Sequence, residues 1–143
     1  LPVKSKNCEL KLIRVTHYKL QNDLVIELDI ETNERIPCVG IGIEIKNSEG
    51  LKIMSQGAIH SNSYIYNPKR YEHLIMKLEN IFYLLNKDEY YVSIWFSSPG
   101  IEKYLVIDNI LEFEITTKNP YNSTQELTLV KNGPIFIKCI LFS

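Results

Sequence analysis

Apolar residues recur at every second position along most of this chain, and a period of two is the mark of a β-strand with one buried face. Leu24, Ile26, Leu28 and Ile30 alternate with Val25, Glu27, Asp29 and Glu31, and Val39, Ile41, Ile43 and Ile45 alternate with Gly40, Gly42, Glu44 and Lys46. Tyr90, Val92, Ile94 and Phe96 form a third inward set, which leaves Tyr91, Ser93, Trp95 and Ser97 on the opposite face. Leu111, Phe113 and Ile115 form a fourth, with Glu112 and Glu114 pointing outward. Asn47-Ser48-Glu49-Gly50 supplies turn residues from which Leu51 to Gln56 returns as a hairpin partner, and Ser98-Pro99-Gly100 breaks the strand before it. Further strands are expected at Glu9 to Thr16, His73 to Leu78, Lys103 to Ile107 and Ile135 to Phe142, with at most one short helical turn in Asn80 to Asn86. No segment carries a long apolar stripe at helical spacing, so the pattern predicts an all-β fold, an antiparallel β-sandwich.

The length of 143 residues predicts one domain over 1–143. Within it, the polar segment 118–134 reads as a linker to a C-terminal strand at 135–142, free to pair with its own sheet or with a neighbouring copy. Lys+Arg 16 against Asp+Glu 17 gives a net charge of −1, which lacks the basic excess of a nucleic-acid groove. Apolar runs such as Ile135 to Leu141 fall short of the about 20 residues a membrane helix needs, so a soluble chain is expected. Cys8, Cys38 and Cys139 are odd in number, widely spaced and flanked by apolar residues, as buried thiols of a reducing, cytoplasmic compartment would be. The chain starts Leu1-Pro2 without a Met or an apolar leader, which suggests a processed protein or an excised domain of a longer one.

Motifs for catalysis are missing: no G-x-S-x-G, Walker A, G-x-G-x-x-G or H-E-x-x-H occurs, and no Cys/His spacing suits a metal. No catalytic residue, metal or cofactor is therefore expected. His17, His60 and His73 are scattered and read as solvent-facing or satisfied histidines, and Glu112 and Glu114 as solvated carboxylates. The informative anomaly is the aromatic residues that the alternation turns away from the core. Trp95 and Tyr91 share an outward face with Ser93 and Ser97, and sugars, with apolar C–H faces ringed by hydroxyls, need such platforms flanked by hydrogen-bonding groups. Gly40 and Gly42 leave space beside Trp95 if their strand is its neighbour. That space admits either a sugar ring or the indole itself, folded over bare backbone. A second candidate is the stretch His60 to Asn67, a loop rich in Tyr and amides, with Lys69-Arg70 nearby.

The order of these features resembles a family. Val39-Gly40-Ile41-Gly42-Ile43-Glu44-Ile45-Lys46-Asn47-Ser48-Glu49-Gly50-Leu51 is similar to a strand and turn of the C-terminal domain of Wzt-type proteins, the ATPase subunits of ABC transporters that export O-antigen polysaccharide. Leu84-Leu85 ahead of Tyr90-Tyr91-Val92-Ser93-Ile94, and Asp108 to Ile115, resemble later segments of the same family. Asn86-Lys87-Asp88-Glu89 stands where the family has a turn glycine, and Phe136, with no Trp, follows Gly133-Pro134-Ile135.

The resemblance implies an immunoglobulin-like sandwich that recognises the finished end of an O-antigen glycan before export. It also implies a homodimer formed by exchange of the C-terminal strand. The ATP-binding domain of the same protein and the transporter's membrane subunit would be further partners, at the cytoplasmic face of the bacterial inner membrane. ATP hydrolysis would belong to that other domain. On this reading Trp95, Tyr91, Ser97 and Glu44 form a binding surface on one sheet face, joined by His60, Tyr64 and Tyr66 from the loop. The rival is a structural or protein-interaction sandwich whose exposed aromatics meet a protein.

Overall fold

A computed structural model of the chain describes residues 3–5, 10–33, 36–57, 64–99, 103–116 and 139–142. The alternating segments are strands: β1 (Val3–Ser5), β2 (Leu10–Leu20), β3 (Asp23–Thr32), β4 (Cys38–Asn47), β5 (Lys52–Gln56), β6 (Tyr64–Tyr66), β7 (Tyr71–Leu78), β8 (Asp88–Ser97), β9 (Lys103–Ile115) and β10 (Cys139–Phe142). A single helical turn, α1 (Ile81–Leu84), falls in the segment expected to hold one. The strands build an antiparallel sandwich. One sheet is six-stranded in the order β1-β9-β8-β4-β5, with β6 also paired to β4, and the other is four-stranded in the order β10-β7-β3-β2.

The inward sets read from the period pack between the sheets. Leu24, Ile26, Leu28 and Ile30 of β3 and Leu74, Met76 and Leu78 of β7 face Val39, Ile41, Ile43 and Ile45 of β4 and Val92, Ile94 and Phe96 of β8, all in one buried cluster. Each such side chain removed from water stabilises the fold by about 1.5–3 kcal/mol. Cys38 is a buried free thiol, and burial raises its pKa, so it stays protonated. Cys8 and the Cys139 side chain lie outside the described residues, as do the linker 118–134 and the start of the terminal strand.

Local chemistry accounts for the turns. At the β4–β5 hairpin the Asn47 side-chain oxygen accepts from the backbone N–H of Glu49 (3.0 Å) and Leu51 (2.9 Å). Gly50 at φ 81° supplies the left-handed residue that the turn requires. Between the sheets, α1 inserts Ile81 into the core, anchored where the Asn80 N–H donates to Asp23 Oδ1 at 2.7 Å.

Besides β1, which the period of two does not mark, two segments differ from the sequence expectation. The strands expected at 103–107 and at 111–115 are one strand, β9, because a bulge absorbs the polar Asp108-Asn109 pair between them. Asn109 takes φ 50° there, and its N–H donates to Ser93 Oγ at 3.0 Å. The second difference is that Tyr64–Tyr66 pairs with β4 as β6 and is not loop. Three residues are too few to display a period, but Ile65 between the tyrosines packs against the core.

Candidate functional site

The β4–β8 register decides which outward side chains meet. Gly40 lies opposite Ser97, Gly42 opposite Trp95, Glu44 opposite Ser93 and Lys46 opposite Tyr91. On the other side of β4, Tyr64 lies opposite Gly40 and Tyr66 opposite Cys38. Directly opposed residues in an antiparallel pair share a face. Trp95, Tyr91, Ser97, Glu44, Tyr64 and Tyr66 therefore all lie on the outward face of the six-stranded sheet. His60 lies outside the described residues. The chain on either side of residues 58–63 is tied to one edge of β4, with Gln56 opposite Ile43 and Tyr64 opposite Gly40.

Trp95 fills the space that Gly42 leaves. A Cβ built on Gly42 would sit 1.9 Å from Trp95 Cε2, 2.2 Å from Cζ2 and 2.3 Å from Nε1, so one edge of the indole occupies the place of the missing side chain. Lys103 Nζ stands over the same ring, 5.0 Å from its centroid, in a cation–π contact. Of the two uses foreseen for the space beside Gly42, the indole takes it, and the ring stays half-buried.

The neighbouring polar groups are already engaged. Glu44 spans two lysines, with Oε1 3.5 Å from Lys46 Nζ and Oε2 3.5 Å from Lys52 Nζ. Tyr91 donates its hydroxyl to Glu89 Oε2 at 3.3 Å, and the Glu89 charge beside it raises the Tyr91 pKa and keeps the phenol protonated. Ser93 is spent on the bulge of β9. The rings of Tyr64 and Tyr66 form a tilted pair, with centroids 6.3 Å apart and planes at 41°, and Tyr66 is 70% exposed. Beyond Tyr91 the face turns acidic, where Glu89, Glu112 and Glu114 border a shallow depression with Phe113. Among the described residues no group of His, Cys, Asp and Glu is arranged to hold a metal. No helix among them is long and apolar enough to cross a membrane.

The arrangement sets aromatic rings beside hydrogen-bond donors and acceptors along β8, β4 and β6. Lys103 and the two lysines on Glu44 were not among the residues picked from the sequence. Lys103 was within reach of it, since a hairpin across Ser98-Pro99-Gly100 brings Lys103 opposite Ser97.

A family model described as the Wzt C-terminal domain matches residues 14–128. Among solved structures, the crystal structure of the C-terminal domain of Wzt superposes with a TM-score of 0.68 at 15% identity, covering 88% of this chain and 88% of that one. A putative β-galactosidase from Bacteroides fragilis reaches a TM-score of 0.40 at 16% identity over 73% of this chain and 15% of that one, too loose to bear on the fold. No curated protein sequence matches. The family match spans β2 to β9 with both sheets of the sandwich, and on it the chain belongs to the Wzt C-terminal domain family.

Proposed function

We propose that the chain is a non-catalytic polysaccharide-recognition module of an ABC transporter that holds the finished end of an O-antigen glycan for export. The outward face of the six-stranded sheet is its binding surface. One observation carries this reading: residues from three separate stretches, chosen for sugar chemistry, converge on that single face. Tyr64 and Tyr66 stack on sugar rings. The half-buried Trp95 contributes the part of its ring that Gly42 and Lys103 leave uncovered, while Tyr91, Ser97, Glu44 and His60 bond to hydroxyls. Selectivity follows from the polar groups, since one left buried and unpaired by a wrong sugar costs about 1–3 kcal/mol.

In this role the module works at the cytoplasmic face of the bacterial inner membrane, joined to the ATP-binding domain of its own protein and through it to the membrane subunit. It pairs as a homodimer in which β10 is exchanged between copies. Calorimetry with the lipid-free O-polysaccharide of the source strain tests the binding surface. Tyr66→Ala is expected to weaken binding about tenfold, or about 1.4 kcal/mol. Absence of binding, together with a protein that co-purifies on the same face, would replace this reading with a protein-interaction sandwich.

A further inference from the structure

The four-stranded sheet carries a charged row that the glycan reading does not use. His73 of β7 lies opposite Asp29 of β3, which lies opposite Arg14 of β2. Both ring nitrogens of His73 meet carboxylates: Nδ1 is 2.6 Å from Asp29 Oδ1 and Nε2 is 2.9 Å from Glu27 Oε1. The other oxygen of Asp29 accepts from Arg14 Nε at 2.9 Å. An ionised carboxylate only accepts, and a neutral imidazole has one N–H and one lone pair. With a neutral ring, a lone pair would therefore confront a carboxylate oxygen at hydrogen-bond distance. Only the imidazolium donates to both, and then Arg14 and His73 balance Asp29 and Glu27.

We propose that Arg14, Asp29, Glu27 and His73 form a proton-operated clamp across β2, β3 and β7, closed when the imidazole carries both protons and loosened when it loses one. The surrounding charges are already matched: Glu31 pairs with Arg70 at 3.5 Å and Asp23 with Lys77 at 3.4 Å. Lys11 lies opposite Glu31, and on β7 the flanking outward residues are Tyr71 and Ile75. Among the described residues the pairing of β10 with β7 runs to Phe142 opposite Ile75. The hydrogen bonds to Asp29 and Glu27 hold the His73 pKa above its usual value, and the bond to His73 holds the Asp29 carboxyl below its own. The clamp thus acts in full below the free histidine value of about 6.5 and is lost as pH rises through the raised one. At the acid end it is lost as pH falls through the depressed Asp29 value. Its consequence reaches the C-terminal strand, because the far edge of β7 seats β10.

A nitrogen-detected NMR titration of the His73 ring, with amide exchange along β7 and β8, tests the clamp. The expected midpoint lies above the free histidine value of about 6.5. Exchange at Leu74 to Leu78, corrected for the intrinsic base-catalysed rate, should quicken several-fold between about pH 6 and about pH 9 while β8 stays protected. In His73→Arg, whose charge persists, β7 protection should not change with pH. Asp29→Asn and Glu27→Gln should each lower the His73 titration midpoint. A midpoint no higher than about 6.5, a midpoint that both variants leave in place, or β7 protection indifferent to pH would overturn the clamp.

Discussion

Gly42 and Tyr90 show how much of this molecule is decided by single atoms. A methyl group on Gly42 would overlap the Trp95 indole, so Gly42→Ala must push the ring off the sheet. Forcing a group into a filled space costs about 1–3 kcal/mol, and the chain has a single tryptophan to report it. Gly42→Ala is expected to red-shift the tryptophan emission and lower the midpoint of urea unfolding together; an unchanged emission maximum would mean that the indole does not depend on that space. On the inner face of β8, Tyr90 donates its hydroxyl to the Asn86 carbonyl at 2.6 Å, and burial pushes its pKa up to about 12. The folded state thus favours the neutral phenol. Its contribution is complete below the free tyrosine value of about 10 and is lost as pH climbs toward 12. Alkaline unfolding followed by circular dichroism should move to higher pH in Tyr90→Phe, at a cost near neutrality of about 0.5–1.5 kcal/mol for the lost hydrogen bond.

At the scale of elements, the candidate site on the six-stranded sheet rests mainly on two of the strands that pair on both sides, β4 and β8. β4 and β8 are held by neighbours along most of their length, so their outward residues sit on a fixed platform. The terminal strand is a different case. β10 pairs antiparallel with β7 from Cys139 opposite Leu78 to Phe142 opposite Ile75, and in the proposed exchange the same seat takes the strand of another copy. Ending the chain after residue 118 is expected to give a monomer by light scattering. A persistent dimer would show that strand exchange is not what joins the copies. Strands such as β3, β4 and β8 were legible in the sequence because burial of one face writes a period of two into eight or more residues. β6 is too short for a period, and the bulge at Asn109 rests on a left-handed backbone stabilised by Ser93, a residue distant in sequence. The face shared by Trp95 and Tyr91 was legible for the same reason as the strands. Its detail was not, since the lysines on Glu44 meet it only through packed side chains of β4 and β5, and on the other sheet only the register seats His73 between Glu27 and Asp29.

At the scale of the whole molecule, the two outer surfaces differ in chemistry. The six-stranded sheet presents aromatic rings with hydroxyl and carboxylate neighbours, whereas the four-stranded sheet presents paired charges that tie strand to strand. A net charge of −1 suits the proposed glycan site, since a hydroxyl-rich polymer is held by stacking and hydrogen bonds and needs no large charge excess. If the aromatic face is the glycan site, Trp95 is its built-in reporter. The most direct measurement is a titration of tryptophan emission with the lipid-free O-polysaccharide of the source strain, on the unaltered chain, on the double variant Tyr64→Ala with Tyr66→Ala, and on Tyr71→Ala. Tyr71 is 60% exposed on the four-stranded sheet and serves as the control. A saturable change is expected in the unaltered chain and in Tyr71→Ala, weakened at least about tenfold in the double variant. Binding that survives loss of both tyrosines and disappears with Tyr71 would contradict a site on the aromatic face.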